Sequence, residues 1–381
     1  MNYRKISMLF LSLVVTILIT AACNIIGGGN TYKIGLLSPQ TGPIAVYAPG
    51  FEDAANVAIA ELNDNEDGNV YELIVADSGC DGTQAATAAQ TLIDSGVVGI
   101  VGAACSGATL GAIAVASEAG VPMVSYASTS PAVTTASDNG YLFRVVPSDA
   151  QQAIALTAVV AAVGDSNPAI LFMTNDYGSG LADNFQANWS GSVCTTNAYD
   201  PTEGSYDAST IAQSVIDGGC DSALLVSYAT DGAAIVEALR GQGFEGTIFG
   251  ADGIADAAFA EAFTDASAVD GIVATKPKPG DASTAQSTFN SAYSAAGGDA
   301  EGIYTHETYD AVKIIALAAT ADDGVDLRDD IGQVGTGYDG ASGVHTFDSN
   351  GDVAGTGYEV CDFAPSFTCT RVWTAENGLS N

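Results

Sequence analysis

Ser106, Ser128 and Thr129 are the residues whose types and spacing first suggest chemistry. They lie in VVGIVGAACSGATLGAIAVASEAGVPMVSYASTSPAVT, residues 97–134. Val97 to Gly102 is a β-branched run, and after Ser106 the apolar positions Leu110, Ile113 and Ala114 recur at helical spacing until Gly120 stops the helix. Ser106 is therefore expected at a helix N-cap, where its side chain and the free N–H groups of the first turn face outward from the end of a parallel strand. The helix dipole at that spot favours an anion. The following strand, Val121 to Tyr126, runs into Ala127, Ser128 and Thr129, which adds a hydroxyl and a backbone N–H beside the first set. Two such loops could share one carboxylate. A serine at a cap and a hydroxyl-rich turn are individually ordinary, so the rest of the chain has to supply the other half of a site.

The elements that would hold these residues alternate. Lys33 to Leu37, Leu73 to Ala76, Ala169 to Met173, Val193 to Ala198, Ala223 to Tyr228, a stretch near Ile248 and Gly271 to Ala274 read as strands. Between them Ala48 to Leu62, Ala85 to Asp94, Ala150 to Val163, Gly180 to Trp189, Ser209 to Ile216 and Gly232 to Leu239 read as helices. Such alternation means parallel sheets covered by helices on both faces, and 381 residues exceed one comfortable core. Two doubly wound α/β lobes are expected. Helices at Ala282 to Ala296 and Tyr304 to Ala319 and strands at Val344 to Phe347, Gly355 to Phe363 and Arg371 to Trp373 follow, with a tight turn at Asp348 to Gly351.

At the N-terminus, Arg4 and Lys5 precede an apolar run from Met8 to Ile19 and small residues just before Cys23, the pattern of a secretory signal over residues 1–22. The cysteine resembles the lipobox of bacterial lipoproteins, in which Cys23 is lipidated; Thr20, where leucine is commoner, departs from that pattern. Residues 23–31 then form a flexible tether, and the expected location is the outer side of the cytoplasmic membrane, held there by the lipid alone. Lys and Arg number 10 against 45 Asp and Glu, a formal net charge of −35. Such a surface excludes nucleic acid as a partner and repels anionic lipid.

Six cysteines remain after Cys23 in a chain expected to be exported. Six allow 15 pairings; nesting suggests Cys80 with Cys105, Cys194 with Cys220, and Cys361 with Cys369. No CxxC or Cys/His cluster supports a metal site, and neither metal nor cofactor is expected. A serine hydrolase built on Ser106 would need His306 or His345 as base, and no GxSxG elbow surrounds any serine.

With Tyr47, Asp77, Cys80, Cys105, Ser106 and Thr129 in view, the chain resembles type 1 periplasmic-binding proteins of the leucine/isoleucine/valine-binding family, the solute-binding components of branched-chain amino acid ABC transporters. KIGLLSPQTGPIAVYAPGFEDAANVAIAELN matches the opening strand, Ser/Thr-Gly-Pro loop and first helix; DSGCDGTQA and GAACSGAT match a disulfide-bearing pair of loops. The resemblance runs from about Lys33 to Phe363. It implies two lobes, residues 32–147 plus 276–338 and 148–275 plus 339–381, joined by a three-strand hinge near Pro147, near Thr275 and around Gly335 to Gly343. It implies an amino acid in the cleft, its carboxylate on Ser106, Thr129 and the backbone of Ala127. The ammonium falls to Asp252 in FGADG, where the family more often has Glu. Tyr177 and Tyr228 would close over the ligand from the second lobe, with Tyr47 and Tyr304 on the first. The implied partner is an ABC permease and the implied state a monomer without enzymatic activity. A ligand-sensing role, or small amides and urea-like solutes as ligands, would leave the same residues in the cleft.

Overall fold

The computed structural model describes residues 29–64, 68–202, 204–299, 302–321, 325–364 and 366–380. The expected leader, Cys23 and most of the expected tether lie outside them. Among the described residues no helix is long and apolar enough to cross a membrane.

The alternation read from the sequence becomes two sheets. The first joins β1 (Thr31–Ser38), β2 (Val70–Asp77), β3 (Gly99–Val101), β4 (Met123–Ser125) and β5 (Leu142–Arg144) in the order β2-β1-β3-β4-β5, with all pairs parallel. Helices α1 (Ala48–Asn63), α2 (Gly82–Asp94) and α3 (Ser106–Ala119) make the crossovers. Ile34, Leu36, Leu37, Ile100 and Val101 are fully enclosed, as strands covered on both faces must be. The four-residue α4 (Pro131–Thr134) follows β4.

The second sheet is mixed. β6 (Pro168–Met173), β7 (Thr195–Tyr199), β8 (Ser222–Val226), β9 (Thr247–Gly250) and β10 (Ile272–Pro277) are parallel in the order β7-β6-β8-β9-β10. Helices α5 (Asp149–Val163), α6 (Asp176–Asn188), α7 (Ala208–Gly218) and α8 (Ala229–Gly241) alternate with them, and the short α9 (Ala257–Glu261) follows β9. Past β10, the helices α10 (Thr284–Ala295) and α11 (Thr305–Ala319) return to pack on α1. After α12 (Leu327–Val334) come a two-stranded hairpin, β11 (Thr336–Asp339) with β12 (Val344–Thr346), and the antiparallel strands β13 (Tyr358–Asp362), β14 (Thr368–Thr374) and β15 (Gly378–Ser380) on the β10 edge. Disulfides join Cys80 to Cys105, Cys194 to Cys220 and Cys361 to Cys369, the nested pairing.

Strand β5, which carries Arg144, was not apparent in the sequence. The structure encloses that side chain completely. All five guanidinium N–H groups donate: Nε and Nη2 to Asp352 at 2.7 Å, Nη2 to Thr134 Oγ1 at 2.6 Å, and Nη1 to the carbonyls of Ser128 and Ser130 at 3.1 and 3.0 Å. The pair is a bidentate one and joins distant parts of the chain. The Gly351 carbonyl accepts from Arg144 N at 2.9 Å, and Phe347 lies on Phe143 with ring centroids 5.0 Å apart. Residues 347–352 thus stay on the first sheet, and the chain enters the second only at Tyr358.

Candidate ligand-binding site

Both sheets run their strand order outward from a switch point, between β1 and β3 in the first and between β6 and β8 in the second. Open α/β sheets bind ligands beyond the carboxyl ends of their strands at such points. The loops that leave those strand ends meet across one cavity, lined by Ile44, Tyr47, Phe51, Ala104, Cys105, Ser106 and Ala127 from the first half and by Tyr177, Tyr228, Asp252 and Gly253 from the second, with Ile303 and Tyr304 just before α11.

Seven of the eight expected site residues line this cavity, and the structure corrects the geometry of two. Ser106 is the first residue of α3 and not its cap: Cys105, extended at φ −84°, ψ 136°, precedes the helix without capping it through its side chain. Ser106 Oγ instead accepts from Ser130 N at 3.2 Å. The α3 N-terminus still opens on the cavity. Tyr177, expected in a loop, is in the first turn of α6, which begins at Asp176 because Asn175 Oδ1 accepts from Gly178 N at 2.8 Å. Thr129 is the eighth, buried beside the wall with its Oγ1 unpartnered, while its carbonyl accepts from Asp149 N at 2.8 Å.

The Ser106 end of the cavity is tied together by short polar links. Ala103 N donates to Thr109 Oγ1 at 2.8 Å, and Thr109 Oγ1 meets Ser128 Oγ at 2.7 Å. Ser125 Oγ donates to the Ala103 carbonyl at 2.8 Å. The Cys80–Cys105 disulfide secures the turn before Ser106.

Asp252 opens a 3₁₀ turn after β9 and is buried. Its Oδ1 accepts from Tyr177 Oη at 3.0 Å and its Oδ2 from Tyr304 Oη at 2.8 Å. Burial pushes its carboxyl above the ordinary aspartate range, against the pull of the two phenols. Tyr177 Oη also accepts from Gly253 N at 3.0 Å, where a Cβ would come within 2.5 Å of the Ser227 carbonyl, so only glycine fits. Burial and the Asp252 charge hold the Tyr177 phenol neutral. The Tyr177 and Tyr228 rings stack with centroids 5.7 Å apart, and Tyr228 Oη lies 3.9 Å from Cys80 Sγ, so the disulfide reaches across to the opposite half. Tyr304 takes its place through a left-handed backbone, φ 59°. Burial raises the Tyr47 phenol, which tilts on Phe51.

Ile44, Phe51 and Ile303 line the cavity without having been singled out as site residues. Neither histidine lines it. His306 faces Asn290 at 2.7 Å; His345 turns one nitrogen, Nε2, to both Ser342 Oγ and Asp310 Oδ2, whereas a relay needs the serine and the acid on different ring nitrogens. Glu359 lies near Cys361 and Cys369, but those sulfurs are joined to each other.

Comparison with known proteins matches the family model described as periplasmic binding protein over residues 31–361. The chain is 25% identical over 349 residues to the Leu/Ile/Val-binding protein of Escherichia coli K12, covering 89% of this chain and 92% of that protein. Its fold superimposes on a leucine binding protein, LivK, from Thermotoga maritima with a TM-score of 0.81 at 25% identity, over 91% of this chain and 99% of that one. It also superimposes on a Rhodopseudomonas palustris solute binding protein in complex with 4-hydroxybenzoate, with a TM-score of 0.76 at 17% identity, over 90% and 97% of the chains.

Proposed function

Since the chain belongs to the type 1 periplasmic binding proteins of the branched-chain amino acid family, extracytoplasmic solute-binding proteins that are not enzymes, we propose that it captures an apolar α-amino acid between its two halves and delivers it to an ABC permease. The observation that carries this reading is one buried carboxylate, Asp252, across a single cavity from the N-terminus of α3. A zwitterion satisfies both ends. Its carboxylate would meet the Ser106 hydroxyl, the first-turn N–H groups and the Ala127 backbone, and its ammonium would meet Asp252. Ile44, Phe51, Ala104 and Ile303 leave an apolar space for the side chain.

The clamp we propose closes by bringing the second half onto a ligand held by the first. Two contacts that join the halves support this: Tyr304 Oη on Asp252, and Ser130 Oγ donating to the Asp176 carbonyl at 2.8 Å. We take the lobe division expected from the sequence but move the third hinge crossing to residues 353–357, because residues 347–352 stay on β5. Export and lipid anchoring through Cys23 belong to the same proposal, as does a monomeric state.

A thermal-shift panel of leucine, isoleucine, valine, polar amino acids, small amides and 4-hydroxybenzoate on the domain from residue 29 tests the ligand class. At about 100 times its dissociation constant a ligand adds about 2.7 kcal/mol of apparent stability. Stabilisation by the branched-chain amino acids is expected. Stabilisation by the benzoate alone would overturn the reading, since a hydroxybenzoate brings a phenol but no cation to Asp252.

A further inference from the structure

Close to Asp252 lies a group of buried polar atoms. Among the described residues, both carboxylate oxygens of Asp149, Oε1 of Gln152 and Oγ1 of Thr129 are buried without a hydrogen-bond partner. Buried polar groups are nearly always paired, so four such atoms in one place call for an explanation. They do share a place. Asp149 N donates to the Thr129 carbonyl at 2.8 Å, and the Thr129 hydroxyl faces the Asp149 carboxylate without closing a hydrogen bond onto it. Asp149 and Gln152 are three residues apart on the first turn of α5, hence on one face, and Gln152 is anchored by its Nε2 to Thr275 O and Oγ1, both at 3.0 Å.

Asp149 is not needed as a helix cap, because Ser148 Oγ already accepts from Ala150 N at 3.3 Å. It is fully buried. The groups around it come from every side: Asp252 from the turn after β9, Tyr177 from α6, Tyr228 before α8, Tyr304 before α11, Tyr358 from β13 and Arg144 from β5. Of the other charged groups on elements packed against α5, Lys276 of β10 and Glu359 of β13 face each other at 3.8 Å and Arg371 of β14 binds Asp362. The nearby cation, Arg144, has no donor left for Asp149. Two buried carboxylates therefore repel each other, with the Thr129 and Gln152 side chains beside them and no cation free to pair with Asp149, an arrangement in which one acid keeps a proton.

We propose that Asp149 is a second acid at the amino end of the ligand site, and that the ligand's ammonium displaces the proton which the Asp149–Asp252 pair holds when the site is empty. Burial first, and the Asp252 charge second, drive the Asp149 carboxyl well above the ordinary aspartate range. An ammonium arriving at the pair reverses the second effect, and the proton leaves to solvent. This rests on the amino acid reading above and deepens it: the site selects a primary ammonium over neutral amides because only a cation can replace the proton.

Calorimetry with L-leucine, run in phosphate and in Tris across about pH 5 to 8, reads the proton directly. In the unmodified protein the binding enthalpy differs between the buffers in proportion to proton release, and affinity falls by up to tenfold per pH unit as the solution is acidified. Asp149→Asn leaves Asp252 without a like charge beside it but still buried, so the variant binds leucine with a shallower pH profile and a smaller enthalpy difference between the buffers. A merely structural Asp149 would alter melting without altering the proton count; circular dichroism confirms that the variant is folded, and Asp149→Ser gives a second, smaller side chain with the same expectation. Leucine binding with no buffer dependence, or variants that release as many protons as the unmodified protein, overturns this proposal alone. No binding of leucine to the unmodified protein overturns the amino acid reading as well.

Discussion

At the Ser106 end of the cavity, the hydroxyls of Ser106, Thr109 and Ser128 are held by neighbours from their own sheet, in a frame closed by Arg144 and the Cys80–Cys105 bridge. At the Asp252 end, the acid is held by Tyr177 from its own half and by Tyr304 from the other. The first end is neutral and complete within one half of the molecule, so it is ready before the halves meet. The second is charged and finished only when they do. On the reading proposed above, a site divided this way would capture the ligand's anionic end first and commit on closure, with the cost of burying Asp252 offset by an incoming cation.

The largest effect should come from the charged end. Asp252→Ala removes one partner of a buried charge-assisted pair, which costs about 2–5 kcal/mol, so calorimetry should show leucine affinity lower by roughly 30- to 4,000-fold. Unchanged affinity would remove Asp252 as the ammonium's partner. Tyr304→Phe keeps the charge and deletes one neutral donor, worth about 0.5–1.5 kcal/mol, so its loss should be far smaller.

A second contrast separates holding the fold from holding the site. The Cys80–Cys105 and Cys194–Cys220 bridges span 25 and 26 residues, and loop closure assigns each about 3–4 kcal/mol. Replacing either pair by serine should cost similar stability in urea unfolding. Only loss of Cys80–Cys105, which lines the cavity and reaches Tyr228, should also weaken leucine binding, by less than Asp252→Ala does. Equal effects on binding would mean that the first bridge is no part of the site.

Much of this was legible in the sequence, and the gaps have physical causes. Strands such as β1, β3 and β8 announce themselves as apolar runs, and Ser106, Asp252, Tyr177 and Tyr228 are polar or aromatic residues just past strand ends, where a parallel sheet exposes them. The start of α6 was hidden by Gly178 and Gly180, which read as a loop. Gly178 is there because a Cβ would fall 2.2 Å from the Met173 carbonyl, a close approach that no local pattern reveals. Strand β5 has three residues, and its buried Arg144 depends on Asp352, 208 positions away. Asp149 was missed because an acid beginning a helix looks like a cap; only the structure shows that Ser148 fills that role. Ile44, Phe51 and Ile303 are apolar residues that could equally have belonged to the core.

The central claim is that one zwitterion spans the two ends, and a crystal structure of the protein with bound L-leucine tests it most directly. The account predicts the carboxylate within about 3.2 Å of Ser106 Oγ and the backbone N–H groups of the first turn of α3, and the ammonium within about 3.2 Å of an Asp252 oxygen. Leucine bound the other way round, or lying outside the cavity between the two sheets, would contradict it.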